Sequence, residues 1–513
     1  MALQPTFDAG KKWKNFHQTF EQLNEGTWDL HFPNTSPPKT VVEDLRESTR
    51  QIQGLIGQAR QKPGMKLRAQ GSRWSLSKAP ATSGWAVNTN RLTGKMKIGP
   101  ADIHADYPGS ADQKAGLYLF QCGNTVADVN RTIEDRSQGR SLFTSGAANG
   151  QTIVGATSCG THGSALGHGA LHDHIVAIHV VPTANSHFWI ERKSRPVMTK
   201  EWIDKLGATA MRDDDETFNA AVVSFGSFGI IESIVIETVP RYQLKTKPGT
   251  AKLDEALWKV IGALDFTAHD FFKPDGKPYF FQAVINPPTD EVLLMANYRQ
   301  DCPADYVPTY SLTQDPKAIG PGFDALSTVG VILDAFKGVI PAFSKLAAKQ
   351  LFDTSSKTGT SGQIYGFKPP LLKVASGSIA VRLADARKTL EELIQLYKET
   401  GPVPIVLGCR YVWASKALLA FNKFDIGLMI SIDGVDSQGT RAYFAAAADR
   451  LEAKGIDYTQ HWGKVNGYTP TRVKKAYGAN VDAWLKARKR LLPAAADRAL
   501  FDNAYIDERG LAG

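Results

Sequence analysis

Residues 144–169 read TSGAANGQTIVGATSCGTHGSALGHG, and seven of them are glycine, set among Ala, Ser and Thr. Small side chains at this density let the backbone lie close against something flat or bulky. Successive backbone N–H groups in such turns can also cradle a phosphate. Ile153, Val154, Ala156 and Cys159 give the stretch the apolar character of buried chain, which sets it apart from a glycine linker. Two common nucleotide fingerprints are missing: no GxGxxG joins a strand to a helix, and there is no GxxxxGK(S/T). The segment therefore predicts a close-packed, ligand-facing backbone outside the Rossmann and P-loop folds.

A second turn has the same look. RAQGSRWSLS, Arg68–Ser77, follows the short predicted strand MKLRAQ and places Trp74 where a ligand would approach the backbone. Helical spacing of Ile52, Leu55, Ile56 and Ala59 precedes it, and residues 1–40 read as an extension ending in FPNTSPPKT. GLYLFQCG reads as a strand, TVADVNRTIEDRSQG as an amphipathic helix stopping at Gly139, and IIESIVIETVP as a β-branched strand closed by Pro240. From about residue 241 the texture changes. PYFFQAVIN and EVLLMANYR read as paired strands; then strands SIAVRL, PIVLGCRYVWA and DIGLMISIDG interleave with helices ARKTLEELIQLYKETG and TRAYFAAAADRLEAKG. Without a strict βαβ rhythm this predicts an antiparallel α+β unit. An apolar helical insertion lies within about 300–370, with Pro341 kinking it, and reads as a lid, a core helix or a contact between copies.

Composition removes several function classes. The net charge of +9 is spread along the chain, GKKWKNF being its densest basic run, so no nucleic-acid arm is expected and only a mild pull on anionic ligands remains. No run of 18 apolar residues predicts a membrane span. Cys122, Cys159, Cys302 and Cys409 are far apart, which fits a reducing, cytoplasmic setting. His162, His168, His172, His174 and His179 crowd one region, with His172 and His174 expected on one strand face, yet three convergent metal ligands are not indicated. No GxSxG elbow supports hydrolase chemistry.

Four segments in order carry a resemblance. GSRWSLS is similar to the GSRHSF turn of the vanillyl-alcohol oxidase superfamily, whose FAD domain is of the p-cresol methylhydroxylase type. SGAANGQTIVGATSCGTHGS resembles its second flavin loop, VVSFGSFGIIESIVIETVP its strand entry, and HWGK at 461–464 the alditol and aldonolactone oxidase branch. The resemblance implies an α+β fold with an FAD-binding domain over 41–240, a substrate domain over 241–458 and a return to the FAD domain over 459–513. It implies FAD held by Gly71, Ser72, Arg73, Trp74 and Ser75 on one side. Ser145, Gly146, Ala147, Asn149, Thr152, Gly155, Ala156, Cys159, Gly160, Thr161, His162 and Gly163 would form the other side. Gly229, Ile230 and Ile231 would serve the adenine or ring side, and Lys464 the flavin.

Two departures from the family pattern shape the expected chemistry. Relatives in this branch commonly carry, at the position of Trp74, a histidine bonded to the flavin; indole cannot form that bond, so non-covalent FAD is expected. Gly408 stands where alditol-type relatives have the glutamate of a Glu-x-Arg pair, while Arg410 is kept, which puts sugars and polyols in doubt. With the apolar insertion, this points to a bulky or apolar alcohol. A hydroxyl- or amine-bearing carbon would give hydride to the flavin. Gly146, with Ala147 beside it, would leave room for O2 as acceptor. Arg410 and Lys464 would serve the substrate, Arg410 by stabilising negative charge and Lys464 by orienting an oxygen or acting as base, with His461 a weaker base. An ion pair is the competing reading of Arg410, and plain core that of Tyr411, Trp413 and Tyr468. A dehydrogenase using a quinone or protein acceptor, and a flavoprotein catalysing a rearrangement or cyclisation without net redox change, remain the alternatives.

Overall fold

Ile175–Val181 and Ile230–Glu237 are apolar at nearly every position, and a strand of that kind must be covered on both faces. In the computed structural model, which describes residues 5–10, 12–31, 40–146, 148–310, 337–340, 355–365 and 374–513, they pair at the centre of a six-stranded sheet. On one side of that sheet lies the helix Val41–Arg60, started by a capping box between Thr40 and Glu43, with Ile52, Leu55, Ile56 and Ala59 turned inward. A four-stranded sheet adjoins it, in the order Thr6–Ala9, Gly26–Asp29, Trp85–Asn88, Leu67–Gln70. Residues 5–10 and 12–31 are thus more than an extension. Phe7 and Trp28 supply aromatic packing against Trp85 that draws two strands into the sheet.

The second unit is an eight-stranded, wholly antiparallel sheet running from Thr358–Thr360 at one edge to Tyr458–Gln460 at the other. The strands Phe280–Ile285 and Glu291–Asp301 pair along their length within it. Successive residues of a strand face opposite ways, and the sequence uses this strictly. Phe281, Ala283, Ile285, Leu407, Cys409, Tyr411, Leu428, Ile430 and Ile432 pack against the helices Glu255–Ala263, Ala386–Thr400 and Gln438–Ala453. The alternate residues, including Gln282, Arg410 and Asp433, face the glycine-rich loops across a cavity. Both units are α+β.

Past Gln460 the chain crosses back. Trp462, Tyr468, Trp484 and Tyr505 join the core beneath the six-stranded sheet, and Trp484 Nε1 donates to the Val223 carbonyl at 3.0 Å. Two local expectations change. The helix Val126–Ile133 ends before Gly139, because the Glu134 carboxylate turns inward to accept from Ser361 Oγ at 2.9 Å and the Gly362 N–H at 3.0 Å on the other unit. His172 and His174 lie on a 3-10 turn, Leu171–His174, not a strand. Asp173 Oδ2 accepts the Ala170 N–H at 2.7 Å, and the His174 ring stacks on Phe143 at 3.5 Å. Most of the apolar insertion, with Pro341, lies outside the described residues. Among the described residues no helix is long and apolar enough to cross a membrane, and no group of three metal-ligating side chains converges.

Candidate active site

The loop Gly71–Ser75 leaves the strand Leu67–Gln70 and meets the loop that carries Thr152. A Cβ on Gly71 would lie 2.1 Å from Thr152 Oγ1, so glycine is what allows the two backbones to touch. Beyond it Arg73 takes a left-handed φ of 58°. Among the described residues, the backbone N–H groups of Ser72, Arg73, Trp74 and Ser75 find no acceptor. Ser72, Trp74 and Ser75 are half-buried and Arg73 is exposed; half-buried donors are normally paired, so a row of free N–H groups here has the form of an anion cradle. The far end of the turn is fixed by the C-terminal return: the Gly463 carbonyl accepts from Leu76 N–H at 2.9 Å and from Ser75 Oγ at 3.2 Å.

These loops open on a cavity of about 1030 Å³, at the upper end of the size usual for small-molecule sites. All five residues Gly71–Ser75 line it, as do Gly146, Thr152, Gly155, Ala156, Cys159, Thr161, His162, Gly229 and Ile231. Ser145, Asn149, Gly160, Gly163 and Ile230 stand behind the wall; Ile230, for example, packs in the core with Leu67 and Val87. Ala147 lies outside the described residues. Gly146 has little room: a Cβ there would come within 3.1 Å of Thr161 Cγ2. Trp74 sits on the backbone of Gly150, where a Cβ would fall 2.5 Å from the indole, and stacks face to face on Phe16 at 4.2 Å and 8°. Among the described residues its Nε1 is buried without a partner, as are Gln151 Oε1 and Arg410 Nε on the same cavity. Free donors along one loop, orphaned polar atoms and a cavity of this volume beside a backbone wall fit an FAD molecule, whose diphosphate Ser72–Ser75 would hold.

The opposite wall is built from side chains. Arg410, His461 and Lys464 come together there, although the first lies on the strand Ile405–Trp413 and the others on the C-terminal return. Arg410 makes no ion pair within 4 Å among the described residues, and burial lowers its pKa while Asp433 works against that. Lys464 Nζ donates to Ser431 Oγ at 3.0 Å and lies 3.7 Å from Asp433 Oδ1. Burial also lowers the Lys464 pKa, the nearby carboxylate opposing and Arg410 assisting. His461 is held well below the usual imidazole range by burial, then by His162 and Lys464. Its Nδ1 accepts the Gly463 N–H at 3.0 Å, so the neutral ring carries its proton on Nε2. His162 is pushed down to about 3 by burial and by Arg410. Its Nδ1 donates to the Gly163 carbonyl at 2.9 Å, leaving Nε2 bare. Tyr411, Trp413 and Tyr468 do not reach the cavity; the Tyr411 hydroxyl instead donates to the Ile261 carbonyl at 2.9 Å on the helix side of the sheet.

Among the lining residues that the sequence did not single out are His17, Gln282, Asn297 and Asp433. Gln282 had left a signal, as the single polar residue of the strand Phe280–Ile285, whereas Asp433 shares its strand with Ser431. Asp433 also corrects the expectation of a missing carboxylate. A Cβ on Gly408 would lie 3.7 Å from Asp433 Oδ2 and 3.6 Å from Ser431 Cβ. The space that the glycine leaves therefore adjoins a carboxylate on the neighbouring strand.

No family model matches the chain. By sequence it is 21% identical over 461 residues to an L-gulono-1,4-lactone dehydrogenase of Mycobacterium tuberculosis, covering 89% of this chain and 93% of that protein. It is 25% identical over 226 residues to a D-arabinono-1,4-lactone oxidase of Debaryomyces hansenii, a match to 44% of this chain that spans only 35% of the yeast protein. By fold it is similar to the cholesterol oxidase of B. sterolicum, with a TM-score of 0.69 at 14% identity over 99% of this chain and 98% of that one. By sequence the chain is thus similar to aldonolactone oxidases and dehydrogenases, and its fold is that of cholesterol oxidase.

Proposed function

We propose that this chain oxidises a hydroxyl-bearing carbon of a small molecule, using non-covalently bound FAD and passing the electrons to O2. The observation that carries the reading is one cavity with a row of unpaired N–H donors on one wall and Arg410 and Lys464 on the other. FAD, held by Gly71–Ser75 and the Thr152–His162 wall, supplies the hydride acceptor. Indole at position 74 supports a cofactor held without a covalent bond. Lys464, its proton affinity lowered by burial, takes the hydroxyl proton as the carbon loses hydride. Arg410 turns its unpartnered Nε towards negative charge that grows in the site. Asp433 accepts from a neighbouring substrate hydroxyl and Gln282 offers a second polar contact. Val284, Met295 and Val406 line the same side and suit an apolar substrate body.

A second substrate reading, an aldonolactone, is favoured by the Asp433–Arg410–Lys464 cluster and by the names of the sequence relatives. The test is anaerobic mixing of the FAD-loaded protein with sterol-type alcohols, alditols and aldonolactones, followed by admission of air. Bleaching of the flavin by one class, then hydrogen peroxide on reoxidation, supports an oxidase for that class. Bleaching without peroxide points to a quinone or protein acceptor. No bleaching by any class removes alcohol oxidation and favours chemistry without net redox change.

A further inference from the structure

The N-terminal segment contributes a hairpin that belongs to none of the three sheets described above. Its strands Lys12–Lys14 and Glu21–Leu23 pair antiparallel, and its tip, residues 15–20, rests on the cofactor loop. The Phe16 N–H donates to the Arg73 carbonyl at 2.8 Å, and Asn15 Nδ2 to the Ser75 carbonyl at 3.1 Å. Asn15 also shapes the tip, its Oδ1 accepting from the Thr19 N–H at 2.9 Å and the Phe20 N–H at 3.3 Å around a left-handed Gln18. Arg441, on the helix Gln438–Ala453 of the other unit, reaches the Thr19 carbonyl at 3.4 Å. The hairpin thus touches both units. His17, edge-on to Trp74 at 5.5 Å, lines the cavity itself. Burial, with the charge of Lys464 adding to it, pushes the His17 pKa down to about 4, so the imidazole is neutral and both donates and accepts.

We infer that this hairpin is a clamp on bound FAD: Phe16 seats Trp74 and fixes the loop 71–75 over the cofactor, and His17 touches the bound molecule. Four contacts converge on the turn that contains Trp74, where a covalent bond would otherwise hold the flavin. Trp74 then has a positive role, as the platform on which the clamp closes. The inference rests on the reading of the cavity as an FAD site.

The test follows release of FAD from the loaded protein after dilution, by the rise in free-flavin fluorescence. Loss of a stacked aromatic pair predicts that Phe16→Ala releases FAD about tenfold faster than the unaltered protein. Phe16→Tyr, which keeps the stack, should release at the original rate. So should Phe7→Ala, which loosens aromatic packing in the same segment away from the cavity. Should Phe16→Ala fail to fold, trypsin cleavage of the unaltered protein after Lys12 and Lys14 gives the second measure, expected to slow when FAD is added. An unchanged release rate for Phe16→Ala, equal release from Phe16→Ala and Phe7→Ala, or cleavage indifferent to FAD would overturn the clamp. Failure of the unaltered protein to take up FAD at all would overturn the cofactor reading and the clamp with it.

Discussion

The two walls of the cavity are made of different material. The wall from Gly71–Ser75 and Thr152–His162 is largely backbone, shaped by glycines whose missing side chains let two loops touch. The wall from Gln282, Arg410, Asp433 and Lys464 is made of side chains that come from three strands and the C-terminal return. A backbone wall holds a constant ligand through N–H groups that every residue but proline has. Its requirement is space, and glycine writes that requirement into the sequence. A side-chain wall can change its ligand by exchanging one residue on any of several strands. A function is thereby free to move from one strand to the next, as the carboxylate beside Gly408 illustrates.

The contrast predicts that damage to the first wall removes the cofactor, and damage to the second removes chemistry while leaving the cofactor in place. Gly71→Val should have the largest effect. Its Cβ displaces Thr152 and separates the loops, and loss of two or more charge-assisted hydrogen bonds weakens FAD binding by about 100-fold or more; titration with FAD followed by gel filtration checks this. Lys464→Met should retain FAD while the anaerobic rate of flavin reduction falls about 100- to 1,000-fold. Comparable FAD loss in both variants would erase the distinction between the walls.

Asp433→Asn should act more mildly, raising KM about tenfold through loss of a charged acceptor. It should also move the pH profile. Asp433 favours the charged form of Lys464, so its neutralisation lowers the Lys464 pKa further, and the rise of the reduction rate with pH shifts to lower pH. A profile that stays in place would separate Asp433 from Lys464. Gly408→Ala should have the smallest effect. Its Cβ makes only ordinary contact at 3.6 Å, so stability should change by no more than about 0.5 kcal/mol in a denaturant titration, with KM alone responding.

The same contrast explains what the sequence made legible. The glycine loops, the β-branched strand Ile230–Glu237 and the alternation in the antiparallel sheet were readable because each is a local pattern with one physical meaning. The place of Asp433 was not, because nothing in ISIDG says that its carboxylate reaches the space beside Gly408, two residues along the partner strand, rather than the protein surface; strand order and register supply that. His17 was hidden for a related reason. It sits in a segment of low apolar content whose anchors on the cofactor loop, Asn15 and Phe16, act on residues about 60 positions away. The end of the helix at Ile133 likewise depends on Ser361 and Gly362, more than 200 residues downstream.

The backbone wall is proposed to hold FAD without a covalent bond. An absorption spectrum of the purified protein loaded with FAD, taken before and after acid precipitation, tests it most directly. The account predicts flavin absorbance that survives gel filtration and then leaves with the acid supernatant. Absorbance that stays with the pellet, or FAD that never binds, would contradict it.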